Sequence, residues 1–284
     1  MSTLYDRDLA PLERQHIFTP FGVRFWDTAR AVTVEQGLQL EAWPEDAPHL
    51  RRRGRPTRAG VYSLQGLPGL ASVEHSIDGD TLNSPPLSRR FVVEVRDLAG
   101  RFVPVVFRVD LPYRGIYPTA TLASPDQRPP GFFLFSAPTR PTLGLAVIRA
   151  ELVEIGGAPA AHALLEVEGA GSTWYGVANA QGVVAAMFAY PPFGATPPTS
   201  PPRPASEANQ PQRWPLTIRV RYQPSARVVP PGNAIPELSS IFAQNIAPIR
   251  PTVAAPPVLA LATDLEFGSE FVLASAPRAH LLVG

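Results

Sequence analysis

Apolar residues along this chain recur in short runs, mostly with a period of two, and glycine and proline punctuate the runs. Alternation of that kind places one set of side chains on each face of an extended strand. The stretch that organises the rest is Gly144 to Pro192, where three apolar runs are separated by GG, GAG and AQG. They predict three successive β-strands. In the first, Ile148, Ala150 and Leu152 share a face opposite Arg149 and Glu151. The third, Gly182 to Tyr190, is almost wholly apolar and ends at Pro191 and Pro192, which lack the amides to continue a ladder.

The same pattern recurs elsewhere. FGVRFWD alternates Val23 and Phe25 against Arg24 and Trp26, and GLQLEAW alternates Leu38, Leu40 and Ala42 against Gln39 and Glu41. In VYSLQGLPG, Tyr62 and Leu64 oppose Val61, Ser63 and Gln65. FVVEVRD (91–97) and FVPVVFRVDLP (102–112), joined across Leu98-Ala-Gly100, predict a hairpin. Phe133 to Ser136, isolated by prolines on both sides, predicts an edge or linker run. PLTIRVRYQP turns Leu216, Ile218, Val220 and Tyr222 inward and Thr217, Arg219 and Arg221 outward, and TDLEFGSEFVLASAPRAHLLV predicts two or three short strands. Helical spacing is found in IPELSSIFAQN, with Pro236 in the first turn and Leu238, Ile241, Phe242 and Asn245 recurring on one side.

The order strand, strand, polar connection, strand occurs twice. Thr57-Arg-Ala-Gly60 before Val61 matches Asn179-Ala-Gln-Gly182 before Val183, and the strands that follow close on Pro68 and Pro191. A Thr or Asn oxygen accepts backbone hydrogen bonds in such a turn while Gly takes the positive φ. We read this as a divergent internal repeat. FLFSAPTR (133–140) and FVLASAPR (271–278) also share a run, then SAP, then Arg, at equivalent edges of the two units.

A first strand, then G-L-x-L-x-A, then T-x-x-G-x-Y and L-P, makes Phe21 to Leu70 resemble the carboxypeptidase regulatory-like, or transthyretin-like, β-sandwich domains. Gly144 to Pro192 resembles them more loosely. An Asp often follows the Thr in that family, and Arg58 stands there instead. The resemblance implies a structural or binding module with no catalytic residue to carry over. The expected fold is therefore all-β: an N-terminal arm at 1–20, a transthyretin-like or Ig-like β-sandwich domain at 21–138 and a second at 139–284. The second has one short helix near the C-terminus and an exposed, proline-rich loop at 191–215 with polyproline character.

Composition narrows the function classes. The 35 prolines and 21 glycines in 284 residues suit short strands and turns, and 45% hydrophobic content with 17% charge excludes a disordered chain. A net charge of +1 gives no reason to expect nucleic acid as a partner. All 25 basic residues are arginine, and cysteine is absent, which removes disulfides and thiolate metal sites. Neither a signal-peptide core nor an apolar run of about 20 residues is present, so a cytoplasmic location is expected, with exit only as part of a larger particle.

Candidate chemistry is sparse. His16, His49, His75, His162 and His280 have no ligand spacing, so no metal or cofactor is expected. The polar cluster Glu74-His75-Ser76-Ile77-Asp78-Gly79-Asp80 lacks both the spaced donors of a calcium loop and a G-x-S-x-G turn. Arg51, Arg52, Arg53, Arg55 and Arg58 form a charge run that is either a clamp for an acidic partner or a solvated hairpin loop. Trp174 and Tyr175, beside glycines, are either a sugar-binding face or part of a sandwich core. These seven are the candidate partner-binding residues.

FxLFSAPTR, PELSSIFAQ and LEFGSEFVLAS with a terminal LLV resemble accessory proteins encoded with phage-tail-like contractile injection particles. That implies other protein subunits of a large assembly as partners, in its baseplate or spike region. The leading reading is a non-enzymatic structural protein that presents β-sandwich surfaces. A carbohydrate- or surface-binding module and a hydrolase with a loop-assembled site remain as alternatives.

Overall fold

The computed structural model describes residues 19–74, 88–113, 116–117, 132–191 and 212–284. The expected arm (save residues 19–20), the cluster from His75 to Asp80 and residues 192–211 of the proline-rich loop lie outside them.

The chain is all-β, with its strands in two sets. The first comprises β1 (Phe21–Val23), β2 (Phe25–Asp27), β3 (Val32–Val34), β4 (Leu38–Pro44), β5 (Arg52–Arg53) and β6 (Arg55–Pro56). It continues with β7 (Tyr62–Leu64), β8 (Arg89–Asp97), β9 (Val105–Leu111), β10 (Ile116–Tyr117) and β11 (Phe132–Leu134). The second set comprises β12 (Leu145–Glu154), β13 (Leu164–Gly169), β14 (Ser172–Val177), β15 (Val183–Ala189) and β16 (Arg213–Arg221). Then come β17 (Ile246–Ala247), β18 (Ile249–Arg250), β19 (Leu261–Glu266), β20 (Glu270–Leu273) and β21 (Leu281–Val283).

One strand order underlies both sets. In the first, β5, β4, β8 and β9 form one sheet, while β1 pairs antiparallel with β7 and its continuation β2 pairs parallel with β11. In the second, β14, β13, β16 and β19 form one sheet, while β12 pairs antiparallel with β15 and parallel with β20. So β4 corresponds to β13, β8 to β16, β9 to β19 and β11 to β20.

Three hydrogen bonds of the matched turns correspond. Thr57 N donates to Val61 O (2.8 Å), Gly60 N to Thr57 O (3.1 Å) and Val61 N to Thr57 Oγ1 (3.2 Å). Asn179 N donates to Val183 O (3.0 Å), Gly182 N to Asn179 O (3.1 Å) and Val183 N to Asn179 Oδ1 (3.0 Å). Gly60 at φ 69° and Gly182 at φ 78° occupy the left-handed region that a Cβ disfavours.

The central stretch holds four strands where three were expected. Gly169-Ala-Gly171 does more than separate runs: it folds LLEVEG and STWYGV into the hairpin of β13 and β14. The unalternating run of β15 is buried on both faces. Val184, Ala186 and Phe188 enter the second core, and Ala185 and Met187 pack with Val147 against Ala29 of the first set. A strand covered on both sides needs apolar residues at every position.

Each sandwich has its own core. Phe21, Phe25, Tyr62, Phe91 and Leu111 are fully buried in the first, where Phe107 stacks on Phe132 at 4.3 Å. Ile148, Leu152, Leu165, Phe188 and Ile218 fill the second. Fully burying one such side chain stabilises by about 1.5–3 kcal/mol.

The expected helix is present as α2 (Leu238–Phe242), following a one-turn helix, α1 (Ala71–Glu74), that periodicity does not announce. Its place matters. It lies in the crossover between β16 and β19, residues 222–260, and Leu238 and Ile241 pack into the first core together with Leu164 and Val177. The crossover of the second sandwich thus reaches back across the first.

Candidate functional site

In the sheet of β5, β4, β8 and β9, Leu40 and Ala42 enter the core, so Gln39, Glu41 and Trp43 face outward. The registers put Glu41 opposite Glu94 and Trp43 opposite Val92. On β9, Glu94 faces Val106 and Val92 faces Arg108. Trp43, Val92 and Val106 are buried although they lie outside the core, because Ile235 of the crossover packs over them.

Residues 228–237 form a strap across this face. Trp43 Nε1 donates to Pro231 O at 2.9 Å, and Asn233 Nδ2 donates to Glu94 Oε2 at 3.1 Å. Val106 and Glu237 form a parallel bridge, and Arg108 Nη1 lies 3.6 Å from the Glu237 carboxylate. Gly232, at φ 78°, passes so close that a Cβ there would stand 2.6 Å from Pro48 Cβ.

The arginine run meets this strap at one residue. The Arg51 guanidinium lies 3.9 Å over the Trp43 ring, donates to Gly232 O, and pairs with Glu41 at 3.3 Å and Glu94 at 3.5 Å. Arg52 donates to Gly66 O at 3.0 Å, and Arg53 pairs with Glu41 at 3.3 Å. Arg55 and Arg58 are exposed and carry no ion pair among the described residues. Burial pushes the Glu41 carboxyl up, but hydrogen bonds from Gln39, Arg51 and Arg53 outweigh it and leave the pKa below the ordinary carboxylate value. The run therefore divides into Arg51, which fastens the strap, two locally bonded arginines, and two open ones.

Trp174 and Tyr175 are not brought together as one platform. Being adjacent on β14 they point to opposite faces. Trp174 stacks on Phe188 at 3.9 Å in the second core, and Tyr175 meets Phe242 of α2 edge-on at 5.2 Å against the first.

The crossover is anchored at its start as well. Burial and a hydrogen bond to Glu154 push the Tyr222 hydroxyl up to about 12. Gln244 Nε2 donates to His162 O at 3.0 Å, and Arg227 Nη1 donates to Ala161 O at 2.6 Å. Burial, and then the nearby Arg227, lower the His162 pKa below its ordinary value.

Sequence reading missed the buried pair Asp27–Arg140. Asp27 shares the inward parity of Val23 and Phe25, and it is 3% exposed. Arg140 Nη1 and Nη2 donate to its two carboxylate oxygens at 2.9 and 2.5 Å, and Nη1 also reaches Ser136 Oγ at 3.0 Å. An acid at a core-facing strand position was the available signal.

The outer face of β13, β16 and β19 is built alike and dressed differently. Arg219 bonds Glu166 at 3.1 Å and Glu168 at 2.7 Å, and Arg221 bonds Glu166 at 2.9 Å. Beyond this ladder lies an open cleft of about 510 Å3 among Glu168, Pro215, Thr217, Ala262, Thr263 and Asp264. Among the described residues no cluster of three or more His, Cys, Asp or Glu could hold a metal, and no helix is long and apolar enough to cross a membrane.

No family model matches the chain, and no curated protein matches it. Two solved structures align along most of it. A chain described as a candidate adhesin of Bacteroides ovatus is 9% identical, with 93% of this chain and 92% of that one covered and a TM-score of 0.24. The Bacillus anthracis TIE protein is 9% identical, with 87% and 44% covered and a TM-score of 0.24. At that level of likeness neither neighbour's role bears on this chain.

Proposed function

We propose that the chain is a non-enzymatic structural protein that presents β-sandwich surfaces to protein partners in a larger assembly. One observation carries this reading: the same strand order is built twice, its outer face covered by the 228–237 loop in the first sandwich and, among the described residues, open along Glu168, Thr217 and Ala262 in the second. Among the described residues the second sandwich also ends in strands paired on one side, β19 with β16 and β20 with β12, and it exposes Leu259 and Val272, each 59% accessible. Large exposed apolar side chains beside one-sided strands suit protein contact. Kinship with carboxypeptidase regulatory-like domains is supported by the Phe21–Leu70 motif and by the two matched turns. A place in the baseplate or spike of a phage-tail-like contractile injection particle is supported by the phrases around 133–140, 236–244 and 265–283.

The test is size-exclusion chromatography with mass measurement, on the purified chain and on an extract of the cells that make it. Co-migration with a very large particle in the extract is the expected result. Elution as a lone monomer from both samples overturns the reading, as does turnover of ester or glycoside substrates by the purified chain.

A further inference from the structure

The arginine run divides by what already holds each guanidinium. Arg51 is committed to Trp43, Gly232 O, Glu41 and Glu94, and Arg52 bonds Gly66 O at 3.0 Å and Arg51 O at 3.1 Å. Arg53 touches Glu41 with its side chain 76% exposed, while Arg55 and Arg58 are exposed and form no ion pair among the described residues. The two carboxylates of this face are already shared out. Glu41 accepts from Gln39, Arg51 and Arg53, and Glu94 accepts from Arg51, Arg96 and Asn233. Positive charge over 53–58 is thus left uncompensated by the described residues.

The backbone that carries these arginines is fixed. At Gly54 the chain steps from β5, the last strand of one sheet, to β6, the last strand of the other. Gly54 N donates to Leu40 O at 2.9 Å, and a Cβ at Gly54 would stand 2.7 Å from Leu40 Cδ2, so this corner is drawn against the first core. Arg58 rides on the turn closed by Thr57 and Gly60. The residues of β5 and β6 are all exposed.

We propose that Arg53, Arg55 and Arg58 on this corner bind an acidic surface of another protein in the assembly. This deepens the assembly reading and rests on it. Guanidinium forks match carboxylates two bonds at a time, and a backbone already held in place lowers the cost of ordering them. Acidic protein suits the corner better than nucleic acid does, because single strands are held by stacking on aromatic rings. The aromatic residues nearest the run, Trp43 and Tyr62, are both fully buried.

The test is photocrosslinking of the full chain in the cells that make it, with p-benzoyl-phenylalanine replacing the exposed Ala59 and, as control, the exposed Glu151. The expected result is a dominant adduct at 59 whose crosslinked peptide, sequenced by mass spectrometry, is an aspartate- or glutamate-rich segment of a different protein. Arg55→Ala with Arg58→Ala is expected to lower that adduct about tenfold and leave melting unchanged. Arg213→Ala with Arg278→Ala, an equal loss of charge from exposed positions of the second sandwich, is expected to leave the adduct in place. An adduct to nucleic acid, to this same chain or to a segment without acidic residues overturns the proposal, as does a yield at 59 no higher than at 151. Charged side chains also keep sheet edges from pairing with one another. If the Arg55 and Arg58 double variant aggregates but keeps its adduct, that role accounts for the arginines and the proposal falls. A missing adduct in a chain that still co-migrates with a large particle removes the acidic partner and leaves the assembly reading, whereas elution of the chain alone removes both.

Discussion

The two sandwiches share a strand order, a turn and an alternation, yet they differ in what happens outside their sheets. The connection between β8 and β9 is the short Leu98–Pro104 stretch, while that between β16 and β19 runs from 222 to 260. The β8–β9 connection is therefore too short to cross a neighbouring face, whereas the β16–β19 connection covers Trp43, Val92 and Val106 of the first sandwich. Of the two equivalent faces, the first is covered by Ile235 at Trp43, Val92 and Val106, while the second is buried at Leu164 and, among the described residues, forms a cleft along Glu168, Thr217 and Ala262. The ends differ in the same spirit. At the close of the first sandwich the SAP-Arg phrase buries Arg140 against Asp27. In the second, Ala150 stands opposite Leu273 at the place of Asp27, Arg278 is exposed, and Ser275 instead bonds Arg250 O and Leu282 N.

The largest expected break in this comparison follows from that phrase. Asp27→Ala leaves the Arg140 guanidinium, 5% exposed, without its carboxylate. Removing one member of a buried pair costs about 3–5 kcal/mol. Arg278→Ala, which removes the exposed arginine directly after the second SAP, changes stability by no more than about 0.5 kcal/mol. Denaturant unfolding of both variants decides it, and similar midpoints would show that the pair does not hold the first sandwich closed.

The covered and open faces separate next. Ile235→Ala removes the half-buried side chain that packs over Trp43, Val92 and Val106, and is expected to cost about 1–2 kcal/mol. Leu259→Ala removes an exposed one and is expected to cost less than about 0.5 kcal/mol. A shift of tryptophan emission in the Ile235 variant alone would tie the loss to Trp43, whose indole the strap bonds.

Strand alternation made the fold legible: Leu216, Ile218 and Val220 are buried and Arg219 and Arg221 lie outward, as their parity requires. The turns were legible too, because Thr57 and Asn179 act through their own neighbours and the signal is local. The interaction faces were not. Trp43 and Arg51 are governed by residues nearly 190 positions away, and no period in the sequence says which outward row a distant strap will cover. Thus Arg51 reads as part of a charged loop and serves as a clamp, while Trp174 and Tyr175 read as neighbours and serve separate cores.

The shared turn gives a finer test. Asn179 Oδ1 accepts from both Gln181 N and Val183 N, whereas Thr57 Oγ1 accepts from Val61 N alone. At about 0.5–1.5 kcal/mol net per hydrogen bond, Asn179→Ala is expected to cost about 1–2 kcal/mol and Thr57→Ala about half of that. Equal losses would mean that the second amide at Asn179 contributes nothing.

The smallest effect sits where the crossover leaves the second sandwich. His162 is partly buried at φ 56°, its carbonyl accepts from Gln244, and Arg227 stands nearby. Burial first, then the Arg227 charge, disfavour imidazolium in the folded chain, so the unfolded chain binds the proton more readily. Stability then rises with pH wherever the unfolded state holds more protons. The contribution is complete above the ordinary histidine value of about 6.5 and is lost as pH falls from there toward the depressed folded value. His162→Asn keeps a residue that tolerates positive φ and removes the titration. Between pH 7 and 5 the wild-type chain should lose more stability than this variant, and parallel curves would mean that protonation of His162 does not oppose the packing of the crossover against the second sandwich.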